Sequence, residues 1–257
     1  MRAATQNLVL KMAETADDIR AAQRLRYDVF VEELGGQGDM VDHDARLERD
    51  EFDPFFDHMM LLDEDREGGL DDKIIGVYRL LRDDQMPKVG KYYTENEYDL
   101  TVLKEGGRKL LELGRSCLHK DYRGGAAMYV LWNGLAEYVA KHGIDILFGT
   151  ASFHGTDIDA LSAPLSLLHH RHLAPEDLRV RARKEHFQNM NLHAEVDIDR
   201  RKAMLAVPAL IKGYLRLGGY VGEGAYVDHA FNTTDVCLVM DTERLNATQR
   251  SIYTRGA

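Results

Sequence analysis

The residues best suited to chemistry lie in the run Leu113-Gly114-Arg115-Ser116-Cys117-Leu118-His119-Lys120-Asp121-Tyr122-Arg123-Gly124-Gly125-Ala126. An apolar strand from Leu110 to Leu118 ends in a glycine turn, and a helix follows with Met128, Leu131, Leu135 and Val139 on one side. The N–H groups of such a turn and the N-terminus of the helix behind it all point at an anion. Arg123, Gly124, Gly125 and Ala126 therefore read as a phosphate cradle, the competing reading being an ordinary helix entry. Glu112 and Arg115 are charges set in an otherwise apolar strand. Together these features suit acyl transfer fed by a phosphopantetheine arm.

Glu112 and Arg115 are three residues apart, which on a regular strand sends them to opposite faces. A same-face pair needs a bulge. Arg79 and Arg115 can pair with Asp53 and Glu112 to shape a pocket, the competing reading being a buried structural ion network. Ser152, His154 and Asp157 do not form a nucleophilic triad: no G-x-S-x-G elbow is present, and the spacing keeps them in one loop. The His169-His170-Arg171-His172 run does not read as a metal site, because neighbouring histidines on a helix diverge. With Arg179, Arg181, Arg183 and Lys184 it makes a basic stretch suited to an acidic carrier protein or to anionic lipid headgroups, or simply a solvated face. The acidic segment Asp39, Asp42, Asp44, Glu48, Asp50, Glu51, Asp53, Asp57 reads as a mobile solvated loop able to attract a cationic substrate.

The elements that must position these residues follow from periodicity. Leu8, Leu10 and Met12 alternate as a first strand over residues 7–13. Thr15 and Asp18 resemble a capping box, and the helix behind them places Ile19, Ala22, Leu25 and Val29 on one face until Gly35-Gly36. Strands at 58–63 and 74–81 flank the turn Glu67-Gly68-Gly69 and read as a hairpin. Residues 88–101 read as a tyrosine-rich loop with a short helix. Strand 110–118, helix 126–142 and strand 144–151 make a βαβ unit with parallel strands. Residues 153–200 read as a helical insertion. Pro208 opens a helix carrying Leu210, Ile211, Tyr214 and Leu217, Gly218-Gly219 stops it, and strands at 220–228 and 236–241 follow. Residues 1–245 read as one domain, with a polar tail at 246–257.

A net charge of -10 argues against general nucleic-acid binding, which needs a basic surface. Cys117 and Cys237 sit in apolar runs and read as buried thiols of a reducing cytosol. No apolar run approaches the roughly 20 residues of a membrane span, and Leu8-Val9-Leu10 is cut by Lys11, so no secretory signal is read. The expected location is cytoplasmic, with peripheral contact at the inner membrane face allowed.

The order of elements resembles the GNAT acyltransferase fold: α/β, a central mixed sheet flanked by helices, here with a helical insertion. Leu25-Arg26-Tyr27-Asp28-Val29-Phe30-Val31-Glu32-Glu33-Leu34, Glu51-Phe52-Asp53, Tyr78-Arg79-Leu80-Leu81 and Glu112-Leu113-Gly114-Arg115 resemble a signature shared by acyl-homoserine-lactone synthases and ornithine N-acyltransferases. Phe148 to Asp157, Leu210 to Gly219, and Phe231 to Cys237 resemble the ornithine N-acyltransferases, whose members are often called haemolysin-like. This resemblance implies transfer of a 3-hydroxyacyl chain from acyl carrier protein to the α-amino group of ornithine, giving lyso-ornithine lipid. The donor is an acyl-phosphopantetheine thioester, and neither a resident cofactor nor a metal is expected.

The resemblance places Arg26, Phe30, Asp53 and Arg79 on the amino-substrate side, and Ser116 and Cys117 are grouped with them. It gives the Glu112–Arg115 strand a bulge whose freed N–H can hold the thioester oxyanion, with Glu112 orienting or deprotonating the amine. Arg115 counts with Glu112 as catalytic, and Tyr214 matches a tyrosine that protonates the leaving thiolate. The loosely matching Arg123–Ala126 turn suits the single phosphodiester of a carrier protein. The alternatives are the same transfer to glycine, glutamine or lysine, acyl-homoserine-lactone synthesis, and a non-catalytic module that binds acyl carrier protein.

Overall fold

The computed structural model describes residues 7–38 and 40–245. The polar tail at 246–257 and Asp39 of the acidic segment lie outside the described residues. Along the chain run β1 (Leu8–Met12), α1 (Ala16–Arg26), a π-helical turn (Tyr27–Glu33), β2 (Asp57–Asp63), α2 (Leu70–Lys73) and β3 (Ile74–Arg82). Then come α3 (Met86–Val89), β4 (Tyr98–Asp99), α4 (Thr101–Lys104), β5 (Leu110–Leu118), α5 (Ala126–His142) and β6 (Ile146–His154). The rest is α6 (Ile158–His172), β7 (Arg181–Ala182), β8 (Phe187–Gln188), α7 (Arg200–Ala206), α8 (Ala209–Arg216), β9 (Tyr220–Val221), β10 (Ala225–Asp228) and β11 (Thr233–Asp241). The chain divides into two compact units, the first reaching Leu81 and resuming over Leu113–His142, the second holding Arg82–Glu112 and resuming at Gly143.

In the first unit β1 and β2 pair antiparallel, as do β2 and β3, and β5 follows β3 in hydrogen-bonded order. Successive side chains on a strand face opposite ways, and β2 uses both faces. Met60 and Leu62 pack with Ala21, Ala22 and Leu25 of α1. A Cβ on Gly134 of α5 would meet Leu10 and Met59, which puts the close approach of α5 on the opposite face. Burial on both faces explains why β2 and β3 read as continuous apolar runs. The expected capping box is present: the Thr15 hydroxyl accepts from the N–H of Asp18 at 3.2 Å, and the Asp18 carboxylate accepts from the N–H of Thr15 at 3.1 Å. Burial raises the Asp18 pKa, but the Lys11 ammonium at 2.6 Å and these N–H donors bring it down to about 2.

In the second unit, Leu110–Glu112 of β5 run parallel to Ile146–Phe148 of β6. β6 then pairs antiparallel with β11 from His154↔Thr233 to Ile146↔Asp241. β10 and β9 both pair with β11, β8 pairs with β10, and β4 with β7. The expected single strand over 220–228 is two, β9 and β10, broken at Gly222–Gly224. Gly224 takes a φ of +77°, and a Cβ on Gly222 would strike Val180. β11 begins earlier than expected, at Thr233. The segment read as helical, 153–200, holds α6 but also the end of β6, β7 and β8. These two-residue strands are too short to show an alternating pattern. In the tyrosine-rich stretch, Tyr92 and Tyr98 are fully buried. The Tyr92 ring meets Phe148 edge-on at 5.1 Å, and the Tyr98 hydroxyl lies within hydrogen-bond reach of the carbonyls of Gly224 and Asp235.

Gly76 of β3 faces the core, where a Cβ would stand 2.8 Å from Leu118, 3.1 Å from Leu131 and 3.3 Å from Leu61. Gly76→Val is expected to cost about 1–3 kcal/mol by overpacking, read as a lower urea midpoint with unchanged slope.

Candidate active site

The charged residues of the first unit converge below β3 and β5. Arg26 is the last residue of α1, where it is fully buried. The π-helical turn after it is a rare geometry that recurs at functional sites. Next comes a tight loop closed by Asp42 and Leu47, each donating its N–H to the other's carbonyl at 2.9 Å. Arg46 in that loop takes a left-handed φ of +56°, bridges Asp28 and Glu32 and lies over the Tyr27 ring. This pins the loop to the helical turn and delivers Glu48, whose N–H donates to the Gln23 carbonyl at 3.1 Å. Phe52 and Phe56, both buried, anchor the following turn edge to face and hold Asp50 and Asp53.

Six charges then interlock. The Arg26 guanidinium reaches Glu48 Oε2 at 2.5 Å through Nε, Asp53 Oδ1 at 2.6 Å through Nη1, and both the Glu48 carbonyl at 2.8 Å and Asp53 Oδ2 at 3.1 Å through Nη2. Arg79 Nη1 reaches Asp50 at 2.6 Å and Asp53 at 2.8 Å, and its guanidinium stacks over Phe56 at 4.4 Å. Arg115 donates from Nε to Glu48 Oε1 at 3.0 Å and from Nη2 to Asp50 Oδ2 at 3.5 Å. Gln23 adds a donor to Asp53 at 2.9 Å, and His58 Nε2 donates to the Asp53 carbonyl at 3.0 Å. Three guanidinium groups thus face three carboxylates, an internally neutral cluster. Burial pushes the carboxyl of Asp53 up, but Arg26 and Arg79 outweigh it and hold it below the ordinary range; Glu48 and Asp50 are depressed in the same way. Burial and the neighbouring Arg26 charge push His58 below its ordinary value, so it sits neutral at the edge of the cluster.

The backbone of β5 departs from a regular strand where the bulge is expected. Arg115 takes a φ of +49° in the middle of β5, a left-handed position that L-residues seldom adopt within a strand. The pleat alternation breaks there: Leu110 to Leu113 are buried, Gly114 to Ser116 partly exposed, Cys117 and Leu118 buried again.

The sequence readings of the individual residues fare differently. Arg26, Asp53, Arg79 and Arg115 do come together. Their remaining partners are Glu48 and Asp50, which the sequence reading placed in a mobile solvated loop. That reading is corrected: Glu48 and Asp53 are buried because guanidinium groups replace their water. Arg115 counts Glu48 and Asp50 among its carboxylate partners. Glu112 accepts from the N–H of Tyr93 at 3.0 Å and of Thr94 at 2.6 Å, clamping the turn at 93–96 within the second unit. A count of charges was the signal available in the sequence, because three arginines in apolar elements demand more than the one loop carboxylate first assigned to them. His58 and Gln23 carried no such signal.

Phe30 is half-buried against the core cluster that contains Cys117. Burial pushes the Cys117 thiol up to about 12, so it stays protonated. Ser116 is half-buried on the same strand. In the glycine turn, Gly124 takes a φ of +76°, and Arg123, Gly124, Gly125 and Ala126 are exposed ahead of α5. Arg123 donates to its own Leu118 carbonyl at 3.1 and 3.0 Å and pairs two-pronged with Glu33 at 3.0 and 2.5 Å. Tyr214 is buried on α8. Asp157 caps α6 by accepting from the N–H of Ala160 at 3.2 Å. In the basic stretch, Arg179 donates to the Ala174 carbonyl, Arg183 to the Glu95 carbonyl, and Arg181 pairs with Glu223.

Arg26→Met leaves two buried carboxylates short of a cation and is expected to cost about 3–5 kcal/mol. Arg26→Lys recovers little, since an ammonium cannot reproduce the forked contacts. Both are read by urea unfolding. Stability also falls in acid in two stages. Between the ordinary histidine value near 6.5 and its lower folded value, the unfolded chain takes up a proton that folded His58 refuses. Below about pH 4 the unfolded carboxylates bind protons before folded Glu48, Asp50 and Asp53 do, so stability drops again. His58→Gln should shrink the first stage; an identical pH profile in that variant would show that His58 takes no part in it.

Residues 25–133 match the acetyltransferase (GNAT) domain family. The chain is 58% identical over 255 residues to the L-ornithine N(alpha)-acyltransferase of Rhodobacter capsulatus, covering 99% of this chain and 98% of that protein. It is 39% identical over 249 residues to the protein of the same name from Brucella abortus, covering 96% and 89%. Among solved structures, the CoA-dependent acyl-homoserine lactone synthase BjaI with SAM and isopentyl-CoA aligns with a TM-score of 0.53 at 13% identity, covering 97% of this chain and 89% of that one. The acyl-homoserine lactone synthase LasI aligns with a TM-score of 0.51 at 14% identity, covering 98% and 97%. These two likenesses are of fold; the full-length identity is of family. With a GNAT domain at its centre and that identity along its length, the chain belongs to the L-ornithine N(alpha)-acyltransferase family of acyltransferases.

Proposed function

We propose that the chain transfers a 3-hydroxyacyl group from acyl carrier protein to the α-amino group of ornithine, giving lyso-ornithine lipid. The observation that carries this reading is the 58% identity, over 99% of the chain, to a protein named for acylating that nitrogen. The α-amino group titrates below a lysine-like side-chain amine, so near neutrality it is the better nucleophile. Its nitrogen attacks the thioester carbonyl carbon, negative charge builds on the oxygen, the C–S bond breaks, the amine loses a proton and the thiolate gains one. No cofactor is resident in this scheme, and the carrier-protein thioester is a substrate.

In this reading the left-handed turn at Arg115 frees backbone donors from the ladder for the developing oxyanion. The Arg26–Glu48–Asp53–Arg79–Asp50 cluster holds Arg115 in that conformation. Arg26, Asp53, Arg79 and Phe30 brace the amino-substrate side, with Ser116 and Cys117 beside them on β5. Glu112 orients the amine and takes up its proton, directly or through water. Tyr214 supplies the proton to the thiolate. The exposed turn Arg123–Ala126 receives the phosphodiester of the carrier arm, a single charge suited to one arginine already shared with Glu33. No helix among the described residues is long and apolar enough to cross a membrane, and a lipid product suits peripheral contact at the inner membrane face.

Thiol release from 3-hydroxyacyl carrier protein, offered ornithine, glycine or S-adenosylmethionine and followed by mass spectrometry, tests this directly. An ornithine amide is expected. Release with a different amine alone would change the substrate, and release with none would overturn acyl transfer. Arg115→Ala should lower kcat/KM by about 100-fold or more with the fold retained. Tyr214→Phe should slow turnover by about tenfold, because a thiolate of pKa about 8.5 already leaves readily.

A further inference from the structure

From Arg200 to Gly222 the chain carries five Lys or Arg residues and no Asp or Glu, within a protein of net charge -10. This stretch contains α7 and α8. α7 turns Ala203 inward, against Leu167 and Ile198. Its outward face carries Arg201, Lys202, Leu205 and Ala206, all exposed. Leu205 is 71% exposed, and Val196, just before the helix, is 90% exposed. An isolated exposed aliphatic is ordinary; these two are the most exposed large apolar side chains among the described residues, Leu205 on the cationic face of α7 and Val196 between the acids Glu195 and Asp197.

The cations there are free to act outward. Arg201 and Lys202 make no side-chain ion pair among the described residues. Lys212 of α8 donates its ammonium to the Leu205 carbonyl at 3.4 Å, which sets it beside the exposed leucine. Arg216 follows one turn later and is exposed. Arg200 differs, being drawn to Glu195 at 3.5 Å. By contrast Arg179, Arg181 and Arg183, the basic stretch noted in the sequence, are spent on internal partners.

We infer that this face, Leu205 framed by Arg201, Lys202, Lys212 and Arg216, docks the protein onto an anionic phospholipid surface. Aliphatic side chains reach the acyl boundary while cations meet phosphate headgroups, the division of labour of an interfacial amphipathic helix. Charge complementarity selects anionic over zwitterionic lipid. The exposure of Leu205 among cations that lack carboxylate partners favours a lipid surface over a protein groove. The inference deepens the proposed lipid-forming reaction by giving it a place to deliver its product, but the surface is testable without turnover.

The full-length protein is sedimented with vesicles of phosphatidylglycerol or of phosphatidylcholine. Binding to the first and little to the second is expected, weakening as salt is raised. Arg201→Glu with Lys202→Glu should lower affinity at least 25-fold, roughly fivefold for each cation removed. Leu205→Ser should lower it independently of salt. Thiol release from a soluble donor should stay unchanged in both variants, since neither touches the site, and its loss in the unaltered protein would count against the acyltransfer reading alone. Equal binding to both lipids, or undiminished binding in the charge-reversed variant, would overturn the inference. So would loss of carrier-protein binding in that variant with vesicle binding intact, which would make the face a protein dock.

Discussion

The placement of three guanidinium groups against three carboxylates in a space nearly closed to water governs the first unit. Each charge there would be costly alone, because burial removes its hydration. Together they form a neutral lattice in which Asp53 accepts from Arg26, Arg79 and Gln23, and Glu48 spans Arg26 and Arg115. The lattice ties the end of α1, the loop at 42–53, β3 and β5 to one another by short, directional contacts. No apolar contact would specify those positions so narrowly, and replacing one member leaves its partners buried and unpaid. The cluster is therefore more plausible as a device of geometry than as a source of net stability.

That geometry serves β5. A strand residue at a φ of +49° is strained unless its surroundings hold it, and the grip of Glu48 and Asp50 on the Arg115 guanidinium is such a hold. The bulge interrupts the pleat for Gly114 to Ser116 while the flanking leucines stay in the core. The strand is thus a wall of the hydrophobic interior on either side of that interruption. Glu112, three residues before, fastens the Tyr93–Asn96 turn by its two oxygens.

The second unit is built on the long antiparallel β6–β11 ladder and closed by local devices: Arg108 gripping Asp241 at 2.5 and 2.7 Å, and Tyr98 reaching two carbonyls from a fully buried position. Its surface charge is not uniform. Its cations gather on two consecutive helices that carry no acid, from Arg200 to Arg216, and local charge rather than net charge decides what a surface meets first.

Periodicity and composition determined the secondary elements that are long or strongly patterned: the capped helix at Thr15, the 58–63 and 74–81 hairpin, the βαβ run through Gly124, and the helix stopped at Gly218. These depend on local propensity and on which face is apolar, information carried by neighbouring residues. The motifs also pointed to Arg26, Asp53, Arg79 and Arg115 as members of one site. Tertiary structure alone decided the rest. The loop at 39–57 looks solvated because its carboxylates outnumber its own cations; the arginines that bury Glu48 and Asp53 come from α1, β3 and β5, and nothing local announces them. The break between β9 and β10 depends on how closely Val180 and Phe187 approach two glycines. Likewise, which cations face outward was settled by which found carboxylates or carbonyls within reach. Local sequence sets what a segment can become, but the pairing of buried charges is a long-range choice, made only when the chain has folded far enough to bring them together.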